Sequence, residues 1–194
     1  MGGRYVGRVL GLPRLDSPLT DGHIALRPWT DADMDAMVPL LNEPEIARWT
    51  RVPSPYTRTD GEDFLARVEA RRANGEEIAL AIVSASGGEL LGSMGLRVTS
   101  RENLRGELGY LVFAPARGRG VGARAVRLLA RFGFEQLGLG RVEILAATGN
   151  RASQRVAERA GFTREGVLRS YTDNRGERLD MIAFSLLPGD LGSA

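Results

Sequence analysis

The stretch Arg117-Gly118-Arg119-Gly120-Val121-Gly122-Ala123 gathers glycines and guanidiniums between an apolar run at 108–113 and an amphipathic pattern of Val121, Ala125, Leu128, Leu129 and Phe132. A strand handing over to a helix through glycines is a place where anions bind. Glycine lets the main chain approach a phosphate, the first-turn N–H groups have no carbonyl inside the helix, and the helix dipole adds partial positive charge. Arg117 and Arg119 bring further charge. A glycine-rich surface turn before an ordinary helix would carry the same residues, so the reading depends on what surrounds it.

The rest of the composition narrows the chemistry. The absence of cysteine excludes disulfides and thiolate metal sites, the single histidine, His23, argues against a histidine-built metal or catalytic centre, and no metal is expected. Catalysis then falls to carboxylates, hydroxyls, phenols or a bound cofactor. All 26 basic residues are arginine, yet the formal net charge is only +2 and the arginines are spread along the chain, so no nucleic-acid partner is expected. No apolar run reaches the length of a membrane span, and the first residues lack the unbroken apolar core of a secretory signal. Met1-Gly2-Gly3 starts like an N-myristoylation site, but Val6 stands where Ser or Thr is needed. The expectation is a cytoplasmic protein with an N-terminal arm at 1–20, one domain at 21–188 and a tail at 189–194.

Several elements must position that turn. Residues 23–27 alternate as a first strand, and Thr30 caps a helix reaching about Leu41. Pro44, Pro53 and Pro55 mark an irregular connection whose aromatics, Trp49 and Tyr56, are candidates for lining a substrate pocket. The capping-box spacing of Thr59 and Glu62 opens a second helix ending near Asn74-Gly75. Runs at 78–84, 89–98 and 105–113 are joined by short links and predict antiparallel neighbours. The helix from 120 to about 137 followed by the buried strand 142–147 is long enough for a parallel crossover. A helix at 150–160 and a final hairpin, 162–171 with 178–187, complete the order.

Two motifs in that order carry a resemblance. Arg117-Gly118-Arg119-Gly120-Val121-Gly122 matches Gln/Arg-x-x-Gly-x-Gly/Ala, and Asn150-Arg151-Ala152-Ser153 leading to Gly161-Phe162 matches an Asn-x-x-Ser…Gly-Phe helix. Leu26-Arg27-Pro28-Trp29 and Arg178-Leu179-Asp180, with Phe184-Ser185-Leu186-Leu187-Pro188, fit as well. Over 21–187 the chain resembles the GCN5-related N-acetyltransferase (GNAT) family, in the RimJ/RimL branch that acetylates ribosomal-protein N-termini.

The resemblance implies an α+β fold of α/β/α layers, with a mixed, mostly antiparallel, V-splayed sheet flanked by helices. It implies acetyl-CoA as co-substrate, its pantetheine arm in the splay and an amine attacking directly in a ternary complex. Backbone groups of Leu111 and Phe113, on either side of Val112, should pair with the pantetheine amides. The N–H groups of Arg119, Gly120, Val121, Gly122 and Ala123 should hold the pyrophosphate, and Asn150 should contact the cofactor arm. Glu107, where the family often has a carboxylate, is the candidate base, although a strand residue paired with an arginine would look the same. Ser153 matches the branch's serine as proton donor to the departing thiolate, with Tyr171 as the alternative acid. The chain departs from the RimL pattern at Thr172, where those enzymes carry a carboxylate.

The acceptor stays open between a protein N-terminus and a small-molecule amine or antibiotic, and exposed strand edges leave room for a homodimer. Two other classes also remain. One is a non-catalytic CoA-binding module. The other is a Rossmann-type dinucleotide binder, since Gly118-x-Gly120-x-x-Ala123 fits the relaxed fingerprint and Glu143 lies about 20 residues on.

Overall fold

The computed structural model describes residues 11–192; the readings of Met1-Gly2-Gly3, Val6 and the last two residues of the tail lie outside them. Strands β1 (Leu19–Thr20), β2 (Ile24–Pro28), β3 (Glu77–Ser84), β4 (Leu90–Ser100), β5 (Arg105–Val112), β6 (Arg141–Ala147), β7 (Thr163–Asn174) and β8 (Glu177–Leu186) form one sheet in the order β1-β2-β3-β4-β5-β6-β8-β7. Helices α1 (Met34–Leu41), α2 (Pro44–Trp49), α3 (Arg58–Ala73), α4 (Val121–Glu135) and α5 (Arg151–Arg159) flank it. Every strand pair is antiparallel except β5 with β6, which α4 connects. A doubly wound parallel sheet is thereby ruled out, and the Rossmann alternative with it. A short 3-10 turn, Ala114–Ala116, also separates β5 from the first glycine.

Both faces of β3 are buried, which explains why it reads as an almost continuous apolar run. Ile78, Leu80 and Ile82 face a cluster built with Val121, Ala125, Leu129 and Phe132 of α4, while Ala81 and Val83 face Trp29, Met34, Met37 and Ile46. The α4 positions recur at helical spacing, so the helix that opens at the glycine turn is anchored along its length by its apolar stripe. Among the described residues no helix is long and apolar enough to cross a membrane.

Three local readings are corrected. The second helix is capped two residues earlier than expected, by Thr57: its hydroxyl accepts from the Asp60 N–H at 3.3 Å while Asp60 accepts from the Thr57 N–H at 2.8 Å. Two overlapping capping templates compete there, and the first one wins. The proline-marked connection contains α2, because Pro44 occupies the first helical turn, where a missing N–H costs nothing. Finally, Leu19–Thr20, read as part of an arm, hydrogen-bonds to β2, and Leu12 is buried at 8% exposure.

Thr30 does open the first helical segment, through a reciprocal box with Asp33. Asp33 is 7% exposed and accepts from Arg27 at 2.7 and 2.6 Å and from Thr30 N at 2.8 Å. Burial alone would raise its pKa, but the Arg27 and Thr30 hydrogen bonds outweigh it and hold the carboxyl below its ordinary value. This stabilisation is complete above the unfolded pKa, about 3.9, and is lost as pH falls through the depressed folded value. Asp33→Asn is expected to cost about 2–3 kcal/mol at pH 7, read by urea unfolding, with the gap from wild type closing below about pH 4. A gap that stays constant with pH would sink this account.

Candidate active site

Strands β5 and β6 pair only at Arg105/Arg141, Gly106/Val142 and Glu107/Glu143, although both continue further. Beyond Glu107 they part, and a cleft of about 780 Å³ opens between them, lined by Leu108, Tyr110, Leu111 and Val112 on one wall and by Ile144, Ala146 and Ala147 on the other. A volume of that size suits a cofactor rather than a solvent molecule.

The turn Gly118 to Ala123 forms one end of this cleft, with Gly118, Gly120, Val121, Gly122 and Ala123 in its lining. Gly118 and Gly120 have φ of +76° and +79°, a conformation that glycine adopts without steric cost. Gly120 is the N-cap of α4 and supplies no side-chain cap, and the first turn carries no acidic residue. The leading N–H groups of a well-anchored helix therefore lack a protein acceptor at the cleft wall, which is the donor set that a diphosphate needs. The residues fit the cofactor in this respect.

Arg117 plays a different part from the one its position suggests. Its Nη1 and Nη2 meet Glu43 Oε1 and Oε2 at 2.5 and 2.6 Å, and its Nε donates to the Val112 carbonyl at 3.0 Å. The guanidinium thus latches the glycine turn to the residue before α2, and its charge is already balanced. Arg119 is exposed and lies outside the lining residues.

The main-chain groups of Leu111 and Phe113, expected to pair with the pantetheine amides, are turned away from the cleft. Phe113 donates its N–H to the Leu91 carbonyl at 2.9 Å, and Leu111 stands opposite Ser93 in the same register. Strand alternation turns the main-chain groups of both residues toward β4, so those of Tyr110 and Val112 face β6 and the cleft.

Asn150 is the N-cap of α5, its Oδ1 accepting from Ser153 N at 3.0 Å. Its Nδ2 has no partner among the described residues, and Asn150 lines the cleft. Ser153 is freed from capping, and its Oγ lies 2.9 Å from the Tyr110 hydroxyl, which also reaches the Ser153 carbonyl at 3.0 Å. Burial pushes the Tyr110 phenol up to about 12, with the Ser153 hydrogen bond pulling the other way. Tyr110 is the residue that sequence reasoning missed. It looked like one more apolar strand position, and its partner lies 43 residues away.

Other candidates separate. Glu107 lines the cleft, but both its oxygens accept from Arg97 Nη2 at 3.0 Å across the β4–β5 ladder. Trp49 lines the cleft, donating to Glu45 at 3.0 Å with Arg48 stacked 4.7 Å above its ring. Tyr56 is core, 6% exposed, and Tyr171 is 53% exposed on β7; neither is a lining residue. The far end of the cleft is closed by the β7–β8 hairpin. Asn174 Nδ2 donates to Arg48 O at 2.9 Å, Arg175 to Ala47 O at 3.3 Å and to Val52 O at 2.6 Å, and Arg51 to Thr172 Oγ1 at 2.7 Å.

A splayed mixed sheet with an uncapped glycine turn at its split is the frame of one known group of transferases. Residues 23–163 match the family described as the acetyltransferase (GNAT) domain, and the chain belongs to that family. It is an N-acetyltransferase, as its relatives are named. The ribosomal N-acetyltransferase candidate YdaF of Bacillus subtilis is 32% identical over 173 residues, covering 85% of this chain and 91% of that protein. The uncharacterized N-acetyltransferase p20 of Bacillus licheniformis is 27% identical over 165 residues, covering 84% and 92%. Among solved structures, Mycobacterium smegmatis RimJ in complex with CoA-disulfide superposes with a TM-score of 0.82 at 21% identity, covering 92% of this chain and 89% of that one. A RimL ribosomal L7/L12 acetyltransferase with coenzyme A gives 0.80 at 17%, covering 88% and 98%. At these identities the structures establish the shared fold.

Proposed function

We propose that this chain transfers the acetyl group of acetyl-CoA to the N-terminal α-amine of a protein, by direct attack while both substrates are bound. The observation that carries the reading is the continuity of the cleft. One lining runs from the uncapped start of α4, past Tyr110 and Ser153, to Trp49, Arg51 and Thr172 under the hairpin, so donor and acceptor have room in a single space. The description of RimL as an α-N-protein acetyltransferase of ribosomal L7/L12, with that of YdaF as a ribosomal N-acetyltransferase candidate, favours a protein N-terminus as acceptor.

Acetyl-CoA supplies an activated thioester. The α4 N-terminus, the outward main-chain groups of Tyr110 and the Val112 N–H hold it, the Val112 carbonyl being taken by Arg117. The amine nitrogen bonds to the acetyl carbon as the carbon–sulfur bond breaks, and the proton that the amine loses balances the one that the thiolate gains. A hydroxyl near 12 facing a thiol near 8.5 would ionise outright only at a cost of roughly 5 kcal/mol. The Tyr110–Ser153 pair therefore hydrogen-bonds to the departing sulfur and relays a proton as the amine releases one. Glu107, held by Arg97, is the cleft carboxylate that takes the amine's proton and passes it to solvent, and solvent returns a proton to the Tyr110–Ser153 pair, so both groups end the turnover as they began. An α-amine with a pKa near 7.7–8.0 needs little help to become neutral.

The reading is tested by incubating the protein with acetyl-CoA and peptides with free N-termini, the same peptides with blocked N-termini and free lysines, and aminoglycoside or polyamine drugs. One added acetyl group, located on the α-nitrogen by mass spectrometry, is expected only for the free N-termini. Turnover of the drugs alone would replace this acceptor by a small-molecule amine.

A further inference from the structure

We propose that the hairpin end of the cleft selects acidic peptide N-termini, with Arg51 as the anchor for a carboxylate two or three residues from the reacting amine. This rests on the reading of the cleft as the site of N-terminal acetyl transfer.

Arg51 lines the cleft, is exposed, and spends one nitrogen on a neutral acceptor, the Thr172 hydroxyl at 2.7 Å. Its Nε and Nη1 have no partner among the described residues. Three other arginines differ in that each meets a carboxylate: Arg48 meets Glu45, Arg97 meets Glu107, and Arg117 meets Glu43. Those pairs also neutralise the acidic lining residues Glu45 and Glu107. Asp173, the remaining carboxylate at this end, accepts from Gly176 N at 3.2 Å in the hairpin turn. It is offset by Arg175 of the same turn, whose bonds go only to the Ala47 and Val52 carbonyls. Arg155 and Arg159 of α5 also line the cleft without a carboxylate partner among the described residues, but their helix packs through Val156 against Gly122 at the glycine-turn end. At the hairpin end the charge left over is that of Arg51, which disfavours polycationic acceptors and favours an anionic one.

The neighbouring group extends the match. Asn174 lines the same end, and its Oδ1 is buried without a partner while its Nδ2 holds the Arg48 carbonyl. A buried acceptor without a donor is costly to leave unmade. The free N–H groups of the Arg51 guanidinium match the carboxylate of an acidic residue in an extended peptide, and the Asn174 oxygen becomes an acceptor for a peptide N–H only when its side chain turns toward the cleft. Bonds from the hairpin to the backbone of residues 47, 48 and 52 hold the two segments together, so little ordering of the main chain is left for the moment of binding.

Three peptides with the same N-terminal residue, followed by two glutamates, two glutamines or two lysines, test this. With wild type, kcat/KM is expected to be at least tenfold higher for the glutamate peptide than for the lysine peptide, the gap shrinking in high salt. Arg51→Met should raise KM for the glutamate peptide about tenfold with kcat changed less than twofold, and Arg51→Glu should reverse the order. Thr172→Glu, which gives Arg51 a carboxylate of its own, should erase the preference while Arg51 remains. Calorimetry of each peptide on the CoA-loaded protein should show the same ranking. Equal kcat/KM for the three peptides, or a preference untouched in Arg51→Met, overturns the proposal. If acetyl-CoA binds but none of the peptides is acetylated, the acceptor reading itself falls and takes this one with it.

Discussion

Gly120→Glu is expected to weaken acetyl-CoA binding by a factor of 100 or more, about 2.7 kcal/mol, while the protein stays folded. A β-carbon added at Gly120 meets nothing within 4 Å, so the side chain has room; its local cost is the strain of φ +79°, about 1–2 kcal/mol. A carboxylate at the N-cap of α4 suits the helix dipole, which recovers part of that strain. The same carboxylate occupies the donors that a diphosphate would use and repels what it does not displace. Gly120→Ala brings the strain without the charge, and its loss should stay below about tenfold. Calorimetry on the two variants separates them. Wild-type affinity in Gly120→Glu would remove the pyrophosphate from the start of α4.

Ser153→Ala should lower kcat by 10²–10³ with little change in the KM for acetyl-CoA, because the hydroxyl matters when sulfur departs rather than when cofactor binds. The fold should tolerate it, since the Tyr110 hydroxyl keeps the Ser153 carbonyl at 3.0 Å as acceptor. Tyr110→Phe leaves Ser153 in place without its partner, and kcat should fall about 10- to 100-fold. The double variant should be little worse than Ser153→Ala alone, because the two hydroxyls act as a unit. With the phenol pushed up to about 12 by burial, Tyr110 contributes no break to the pH–rate profile below pH 10. A rise near pH 8 is expected from the acceptor amine alone. Single variants whose losses multiply in the double would mean that the hydroxyls work separately.

The start of α4 was legible because its signal is local: glycines at positive φ, an apolar strand before them and an apolar stripe after. Asn150 and Ser153 were reached through the resemblance rather than through a local signal, and both line the cleft. The latch of Arg117 was not legible, because Glu43 lies 74 residues away and local sequence places the arginine beside the phosphates. Tyr110 and Arg51 escaped for the same reason, their partners being 43 and 121 residues distant. The orientation of Leu111 and Phe113 was missed for another reason. Side-chain alternation tells which face of a strand is buried, but the side to which its amides point depends on register with a neighbour. Tyr56 looked like a pocket aromatic because it sits among prolines, and its burial against Met34 and Met37 depends on how α1 and α2 fold back.

The split between β5 and β6 also gives this sheet an edge in its interior. The outer edges are blunted: β1 is two residues long, and β7 is broken by register shifts at Arg164/Gly166 and Leu168/Thr172. An unbroken edge on a protein's rim invites strands from other chains and, with them, aggregation. Here the unbroken edge is recessed, zipped shut at Glu107 and capped at Val112, whose carbonyl is occupied by the Arg117 guanidinium. What remains is a slot for something thinner than a polypeptide strand. The protein can therefore keep an open edge permanently available to a slender amide-bearing chain without exposing it to its neighbours, and the side chains at 108–112 need not be sticky for that to work.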